Sequence, residues 1–144
     1  MSVAPGWGPG LVLLGDTLAR AGRLDEAEGA YRKAESVGAP AARAELASFN
    51  FMRGRKDLAK RALAELETQA RASYVSPYLM AVAAAGLDPE RAFRALEAAF
   101  EERSPALRLL RRDPRLDPIR ADPRFARLMR VLWPEEASSR LARS

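Results

Sequence analysis

The chain of 144 residues is 48% hydrophobic and 30% charged, which excludes a disordered chain and one embedded as a whole in a membrane. It contains no cysteine and no histidine, so disulfides, zinc sites built from these residues and the commonest general base are excluded as well. The excess positive charge lies in residues 103–144, which carry 11 basic and 5 acidic side chains. The start of the chain lacks the basic region of a secretory signal, and we expect a cytoplasmic protein that does not contact a membrane.

A short stretch of sequence occurs twice at a fixed distance. Residues 19–34 read ARAGRLDEAEGAYRKA, and residues 51–66, which lie 32 positions further on, read FMRGRKDLAKRALAEL. Repetition at a period of about 20 to 50 residues is typical of solenoids, in which each repeat is one small supersecondary unit. We therefore expect the same corner between two helices at both places, with Gly22 and Gly54 in equivalent positions.

Each copy is predicted to consist of a helix, a short turn and a second helix. Apolar residues at helical spacing precede Gly22, and glycine favours the left-handed backbone that ends many helices. Acidic residues follow the turn, where negative charge meets the positive end of the next helix dipole. The small residues Ala27 and Ala59 stand where the two helices of a unit cross closely.

A looser third unit follows. Ser76-Pro77 is typical of the start of a helix, because serine caps the first turn and proline fits its first position. Gly86 is predicted to end this helix, and Asp88-Pro89 to begin the next.

After residue 103 the chain changes to short segments that are headed by a Ser-Pro or Asp-Pro pair. In each pair the first residue is predicted to cap a helix that begins at the proline. We expect helices at about 105–112 and 123–133, separated by a turn at 113–121. The four capping residues are Ser104, Asp113, Asp117 and Asp122.

These features divide the chain into a leader, a helical domain and a tail. The flexible leader is placed at residues 1–8, the helical domain at 9–133 and the polar tail at 134–144. Within the domain, the repeats are placed at 9–39, 40–73 and 76–103, and the capping helices at 105–133.

The repeated units resemble the tetratricopeptide repeat, a helix-turn-helix unit of about 34 residues. The first copy carries residues of the family's motif and has the closing proline one place late. The second copy departs more, with alanine in place of the glycine and leucine in place of both the aromatic residue and the second alanine. In the first copy the motif residues are Gly15, Ala27, Tyr31, Ala34 and Pro40, and in the second copy the replacements are Ala47, Leu63 and Leu66.

The C-terminal part adds a narrower resemblance, to the closing segment of bacterial tetratricopeptide arrays. It rests on "YVSP" at 74–77, "EERSP" at 101–105 and "DPRLDPIRADPRF" at 113–125. Together the two resemblances imply an all-α fold. It would be a right-handed superhelical stack of about three helix pairs, closed by short C-terminal capping helices.

The resemblance also implies a function, because in this family the first helix of each pair lines a concave face that binds peptides or partner helices. We therefore expect a non-catalytic protein–protein interaction module. The Lys and Asn clamp with which some members bind chaperone tails is absent, since Val12, Asp16 and Ser48 stand at its positions. Phe51 and Met52 could instead be packed between helices. The residues predicted to form the concave face are Val12, Asp16, Ala19, Arg20, Ala44, Ser48, Phe51 and Met52.

Two other functions stay open. The first is a scaffold that self-associates through the same surface or through Trp7. The second is an accessory nucleic-acid binder, in which C-terminal arginines neutralise phosphates. Three aspartates interrupt that run and aromatic residues for base stacking are scarce, which disfavours nucleic acid. The arginines concerned are Arg108, Arg111, Arg112, Arg115, Arg120, Arg124, Arg127 and Arg130.

We expect no enzymatic activity. Neighbouring carboxylates such as Glu26 and Glu28 are only one or two positions apart, and such residues do not face each other on a helix. No serine lies in a Gly-x-Ser-x-Gly frame. The sequence therefore predicts no catalytic residues, no cofactor and no metal.

Overall fold

The computed structural model of the protein describes residues 7–135. Within this range the regular secondary structure is helical and contains no strand, which confirms the all-α prediction. Most of the predicted leader and tail lies outside the described residues. The helices are α1 (Gly8–Arg20), α2 (Leu24–Ser36), α3 (Pro40–Met52), α4 (Lys56–Ala72), α5 (Pro77–Ala84), α6 (Pro89–Glu101), the 3₁₀ helices η1 (Pro105–Leu109) and η2 (Pro114–Ile119), and α7 (Pro123–Leu132).

The two predicted corners have the same backbone geometry. Gly22 has φ of +79° and Gly54 has φ of +76°, so both occupy the left-handed region. In each corner the amide of the arginine after the glycine donates to the carbonyl oxygen five residues earlier, at 2.9 and 2.8 Å. This bond is the mark of a helix that ends in a left-handed glycine. Ala27 and Ala59, in the helices that follow, are fully buried.

Consecutive helices form hairpins, and the hairpins pack on one another. α1 packs on α2, α3 on α4 and α5 on α6, while α3 also contacts α1, α2 and α5. The apolar core runs through all three hairpins and continues into η1, η2 and α7. Five of the eight residues of α5 are buried, because α3, α4, α6 and η2 all contact this helix. Its nearly continuous apolar sequence fits a helix that is covered on most sides.

Two glycines are required by close packing and not by backbone conformation. A Cβ atom on Gly15 would lie 2.5 Å from the ring of Tyr31, and one on Gly86 would lie 2.4 Å from the ring of Phe51. Real Cβ atoms do not approach so closely, so an aromatic ring fills the space that each glycine leaves. Gly86 was predicted to end a helix, and α5 ends two residues earlier, at Ala84; unlike Gly22 and Gly54, Gly86 does not have positive φ.

The C-terminal segment differs from its prediction in two places. The helix predicted at 105–112 is a 3₁₀ helix of five residues, and the turn predicted at 113–121 contains a second 3₁₀ helix. The side chains of Ser104, Asp113 and Asp122 each accept a hydrogen bond from the amide two residues further on, as predicted for caps. Asp117 does not cap, since it lies inside η2 and pairs with Arg120 at 3.0 Å. Prolines that recur every few residues remove amide donors, which leaves no room for longer α-helices.

A groove between the first helices and the C-terminal segment

A groove with a volume of about 970 Å³ lies between helices α1 and α3 and the segment 108–115. Helix α1 contributes Asp16, Ala19 and Arg20 to its lining, and α3 contributes residues between 45 and 52. The C-terminal segment forms the opposite wall, because the chain turns back across the first helices after α6.

Five of the eight residues predicted for the concave face line this groove, and three do not. Val12 is half-buried and packs against the core. Ala44 is fully buried and cannot contact a partner, so its prediction as a surface residue is wrong. The ring of Phe51 lies against Gly86, in agreement with the alternative of packing between helices. Helix α3 contacts α1, α2, α4 and α5, and these neighbours cover Ala44 and Phe51. The residues that line the groove are Asp16, Ala19, Arg20, Ser48 and Met52.

Two large apolar side chains of the groove lining are open to solvent. Met52 on α3 is 63% exposed, and Leu109 at the end of η1 is 50% exposed. Phe49 and Tyr31 also line the groove, with ring centroids 5.5 Å apart in an edge-to-face arrangement. The groove therefore combines an aromatic floor with exposed aliphatic groups that a bound segment could cover.

Arg115 fixes the C-terminal segment to the hairpins. Its guanidinium donates to both carboxylate oxygens of Asp113, at 2.8 and 2.6 Å, and to the carboxylate of Glu45 on α3. Asp113 also accepts a hydrogen bond from the buried Tyr78 hydroxyl on α5, at 2.8 Å. These four side chains connect η2, α3 and α5, and they hold the wall of the groove in place.

Burial sets the electrostatics of this network. Desolvation raises the pKa of the Glu45 carboxyl to about 7, and it outweighs the attraction of the Arg115 guanidinium. Desolvation also acts to raise the pKa of Asp113, but the hydrogen bonds and charge of Arg115 outweigh it, and this pKa lies below its ordinary value. Asp113 is therefore the firmly ionised partner of Arg115, while Glu45 takes up a proton more readily.

The carboxylate of Asp16 has a partner inside the fold. The Tyr31 hydroxyl donates to it at 2.6 Å, and burial together with this hydrogen bond raises the pKa of Tyr31 above its ordinary value. Although Asp16 and Arg20 are spaced for an ion pair on one helix face, the described residues show no such pair within 4 Å. The guanidinium of Arg20 is exposed at the groove instead.

Sequence analysis did not assign the C-terminal wall to this site. The sequence pattern indicates Arg108, Arg112 and Arg115 only as contacts for phosphate, and it predicts no role for Leu109. Arg115 meets Glu45 across 70 positions of sequence. No spacing rule connects residues so far apart, so only the folded chain brings them together.

Several C-terminal arginines are engaged within the protein. Arg115 binds Glu45 and Asp113, Arg120 pairs with Asp117, and Arg124 pairs with Glu90 and Asp122. The guanidinium of Arg111 lies over the ring of Trp133, 5.0 Å from its centroid. These contacts reduce the positive charge that the segment can offer to a nucleic acid. Among residues 7–135, no ion pair or hydrogen bond engages the side chains of Arg108, Arg112, Arg127 and Arg130.

The described residues contain no group of three or more acidic side chains placed to hold a metal ion. Between Trp7 and Glu135, none of the helices combines the length and the apolar character that crossing a membrane requires.

The fold and the groove define an all-helical protein built of consecutive helical hairpins. No family model matches the chain, and neither a curated protein nor a solved structure is significantly similar to it. Functional proposals therefore rest on the residues of this chain.

Proposed function

We propose that the protein is a non-catalytic, cytoplasmic interaction module of the tetratricopeptide-repeat type, and that it binds a peptide or a partner helix in the groove. Three helical hairpins with two matching glycine corners support the family, as does the contact of Gly15 with Tyr31 at two motif positions. The hairpins would form a right-handed superhelical stack whose first helices line the concave face. The segment after residue 104 would close the stack.

The observation that carries the proposal is the composition of the groove. It is about 970 Å³ in volume, and it contains exposed apolar side chains beside polar and charged ones. Concave sites that combine apolar side chains with a few polar groups are the preferred places for ligands to bind. Covering one methionine side chain contributes about 1.5–3 kcal/mol, which corresponds to roughly tenfold to a hundredfold in affinity.

Selection of peptides tests this proposal. Peptides from a random library are selected on the immobilised full chain, and their dissociation constants are then measured for wild type and variants. We expect Met52→Glu to weaken the selected peptides at least about tenfold, because a charge replaces the apolar contact. The matched control is Val37→Glu, since Val37 is 46% exposed and does not line the groove.

The outcome can contradict the proposal. Circular dichroism first establishes that both variants keep the helical content of wild type. If the selected peptides bind Met52→Glu and wild type equally well, the groove is not the binding site. Selection of no peptide at all would count against an interaction module.

Self-association is a second candidate, because two large apolar side chains in α1 and at its N-cap are exposed. Trp7 is 58% exposed and Leu13 is 56% exposed. Light scattering over a range of concentrations distinguishes a monomer from a self-associating scaffold. A mass that stays at 15.8 kDa would exclude the scaffold. A dimer that Leu13→Glu dissociates would favour it.

A further inference from the structure

We propose that the groove selects acidic peptide segments, in which glutamates or aspartates flank an apolar residue. This inference rests on the proposed function and names the chemistry of the ligand. It follows from which charged groups of the groove already have partners within the fold and which do not.

Each of the three carboxylates that line the groove has a partner within the fold. Asp16 accepts a hydrogen bond from the Tyr31 hydroxyl at 2.6 Å, Glu45 binds the Arg115 guanidinium, and Asp113 binds both Arg115 and Tyr78. Glu45 and Asp113 are buried and share the Arg115 guanidinium, so a lysine or arginine in a ligand would have to compete with that guanidinium. Of these three carboxylates, Asp16 keeps an uncompensated charge because its Tyr31 partner is neutral, and it is outnumbered by the exposed arginines of the same groove. The groove therefore favours acidic over basic peptides.

The exposed cations of the groove are available. Arg20 on α1 and Arg108 and Arg112 on the opposite wall are all exposed, and none of them has a carboxylate within 4 Å among the described residues. They stand on both sides of the groove, so a segment that lies between them can meet cations on either flank. Guanidinium groups bind carboxylates in a bidentate manner, which favours glutamate and aspartate in that segment.

The apolar part of the ligand has its own contacts. Met52 and Leu109 are exposed on opposite walls and belong to the same groove as the three arginines. An apolar side chain of the bound segment can lie against both. Because Arg115 holds the C-terminal wall to α3, the wall is ordered before binding, which lowers the entropic cost of association.

Three synthetic peptides test the charge preference. Each has about 12 residues and the same leucine spacing, and the other positions are glutamate, lysine or glutamine. Fluorescence anisotropy gives their dissociation constants for the full chain at low and high salt. We expect the acidic peptide to bind at least about tenfold more tightly than the basic one, and to weaken as salt rises.

Two triple variants of equal net charge test whether the arginines of the groove bind the acidic peptide. In the first, Arg20, Arg108 and Arg112 are each replaced by glutamate. In the second, the replaced residues are Arg61, Arg71 and Arg94, which are exposed, have no ion pair among residues 7–135 and lie outside the groove. We expect the groove variant to bind the acidic peptide at least about tenfold more weakly than wild type does. The control variant should bind it with the affinity of wild type.

The results separate this inference from the proposed function. If the neutral or basic peptide binds as tightly as the acidic one and Met52→Glu abolishes that binding, the groove is an interaction site without the acidic preference. If both triple variants lose the acidic peptide equally, overall charge and not the groove is responsible. Binding of a duplex DNA of mixed sequence that the groove variant abolishes and the peptides cannot displace would overturn the inference in favour of nucleic acid. Absence of acidic-peptide binding would overturn it as well.

Discussion

The contact between Gly15 and Tyr31 can be probed with a single methyl group. In Gly15→Ala the new Cβ would lie 2.5 Å from the Tyr31 ring, whereas ordinary contacts begin near 3.4 Å. The ring or helix α1 must therefore shift by about 1 Å. The matched control is Gly29→Ala in helix α2, where the added methyl group meets no atom within 4 Å.

Gly15→Ala and Gly29→Ala have the same effect on helix propensity, but only Gly15→Ala overpacks a contact. Both replace glycine by alanine inside a helix, which by itself stabilises the fold by roughly 0.5–1 kcal/mol. Overpacking of a tight contact costs about 1–3 kcal/mol. We expect Gly29→Ala to raise the free energy of unfolding by up to about 1 kcal/mol, and Gly15→Ala to lie about 1–3 kcal/mol below it.

The second hairpin suggests how to relieve the clash. At the equivalent positions it carries Ala47 and Leu63, which are both buried. Tyr31→Leu should therefore make room for the extra methyl group at position 15. In that background Gly15→Ala should have the same effect as Gly29→Ala, even though Tyr31→Leu is itself destabilising.

Urea denaturation followed by circular dichroism measures all of these differences. Wild type, Gly15→Ala, Tyr31→Leu and the double variant form a double-mutant cycle, and the coupling energy between positions 15 and 31 is expected to be about 1–3 kcal/mol. The reasoning is refuted if Gly15→Ala stabilises wild type as much as Gly29→Ala does. It is also refuted if the cost of Gly15→Ala is unchanged in the Tyr31→Leu background.

Three further predictions concern other parts of the fold. Gly86→Ala should destabilise the protein by about 1–3 kcal/mol in urea denaturation, because its Cβ would lie 2.4 Å from the Phe51 ring, and Phe51→Leu should reduce that cost. Gly54→Ala should cost about 1–2 kcal/mol through backbone strain alone, since φ is +76° and the methyl group meets no atom, and Gly54→Asn should cost less. Burial raises the pKa of Glu45 from 4.5 to about 7, so the folded state holds a proton that the unfolded state has released. The free energy of unfolding should then fall by up to about 3 kcal/mol as pH rises from 4.5 to above 7. Glu45→Gln should remove that slope, and parallel pH profiles of wild type and variant would show the reasoning to be wrong.

The repeated corners were predictable because their determinants are local. A left-handed residue at Gly22 and Gly54 requires only the conformational freedom of glycine, which is a property of the residue itself. The helix starts at Pro77, Pro89 and Pro123 likewise follow from proline at the first helical position. Such signals act within one turn of the chain.

Gly86 shows where local signals mislead. Its position after an apolar run predicts only that a helix ends there, whereas the ring of Phe51 from another hairpin is what requires a glycine. Asp117-Pro118 has the same composition as the capping pairs at Asp113 and Asp122, yet it lies inside a 3₁₀ helix. The role of Gly86 depends on a contact with another hairpin, and the role of Asp117 depends on its place inside a 3₁₀ helix. The residues next to them in the sequence reveal neither.

The candidate site was predictable in part. The spacing of Asp16, Ala19 and Arg20 places them on one face of α1, and they do line the groove. The same reasoning placed Ala44 on a surface, because one helix face cannot reveal how many neighbours cover it. The opposite wall was not anticipated at all.

The sequence by itself determined the helices of the three hairpins, the two glycine corners and the absence of cysteine and histidine chemistry, because each depends on residue type and short-range spacing. Only the tertiary structure decided that the C-terminal segment folds back over α1 and α3 to complete the groove. That arrangement depends on Arg115 reaching Glu45 and Asp113 while Tyr78 donates to Asp113. Such a buried network forms only when several helices are already in place, and so the linear pattern carries no sign of it.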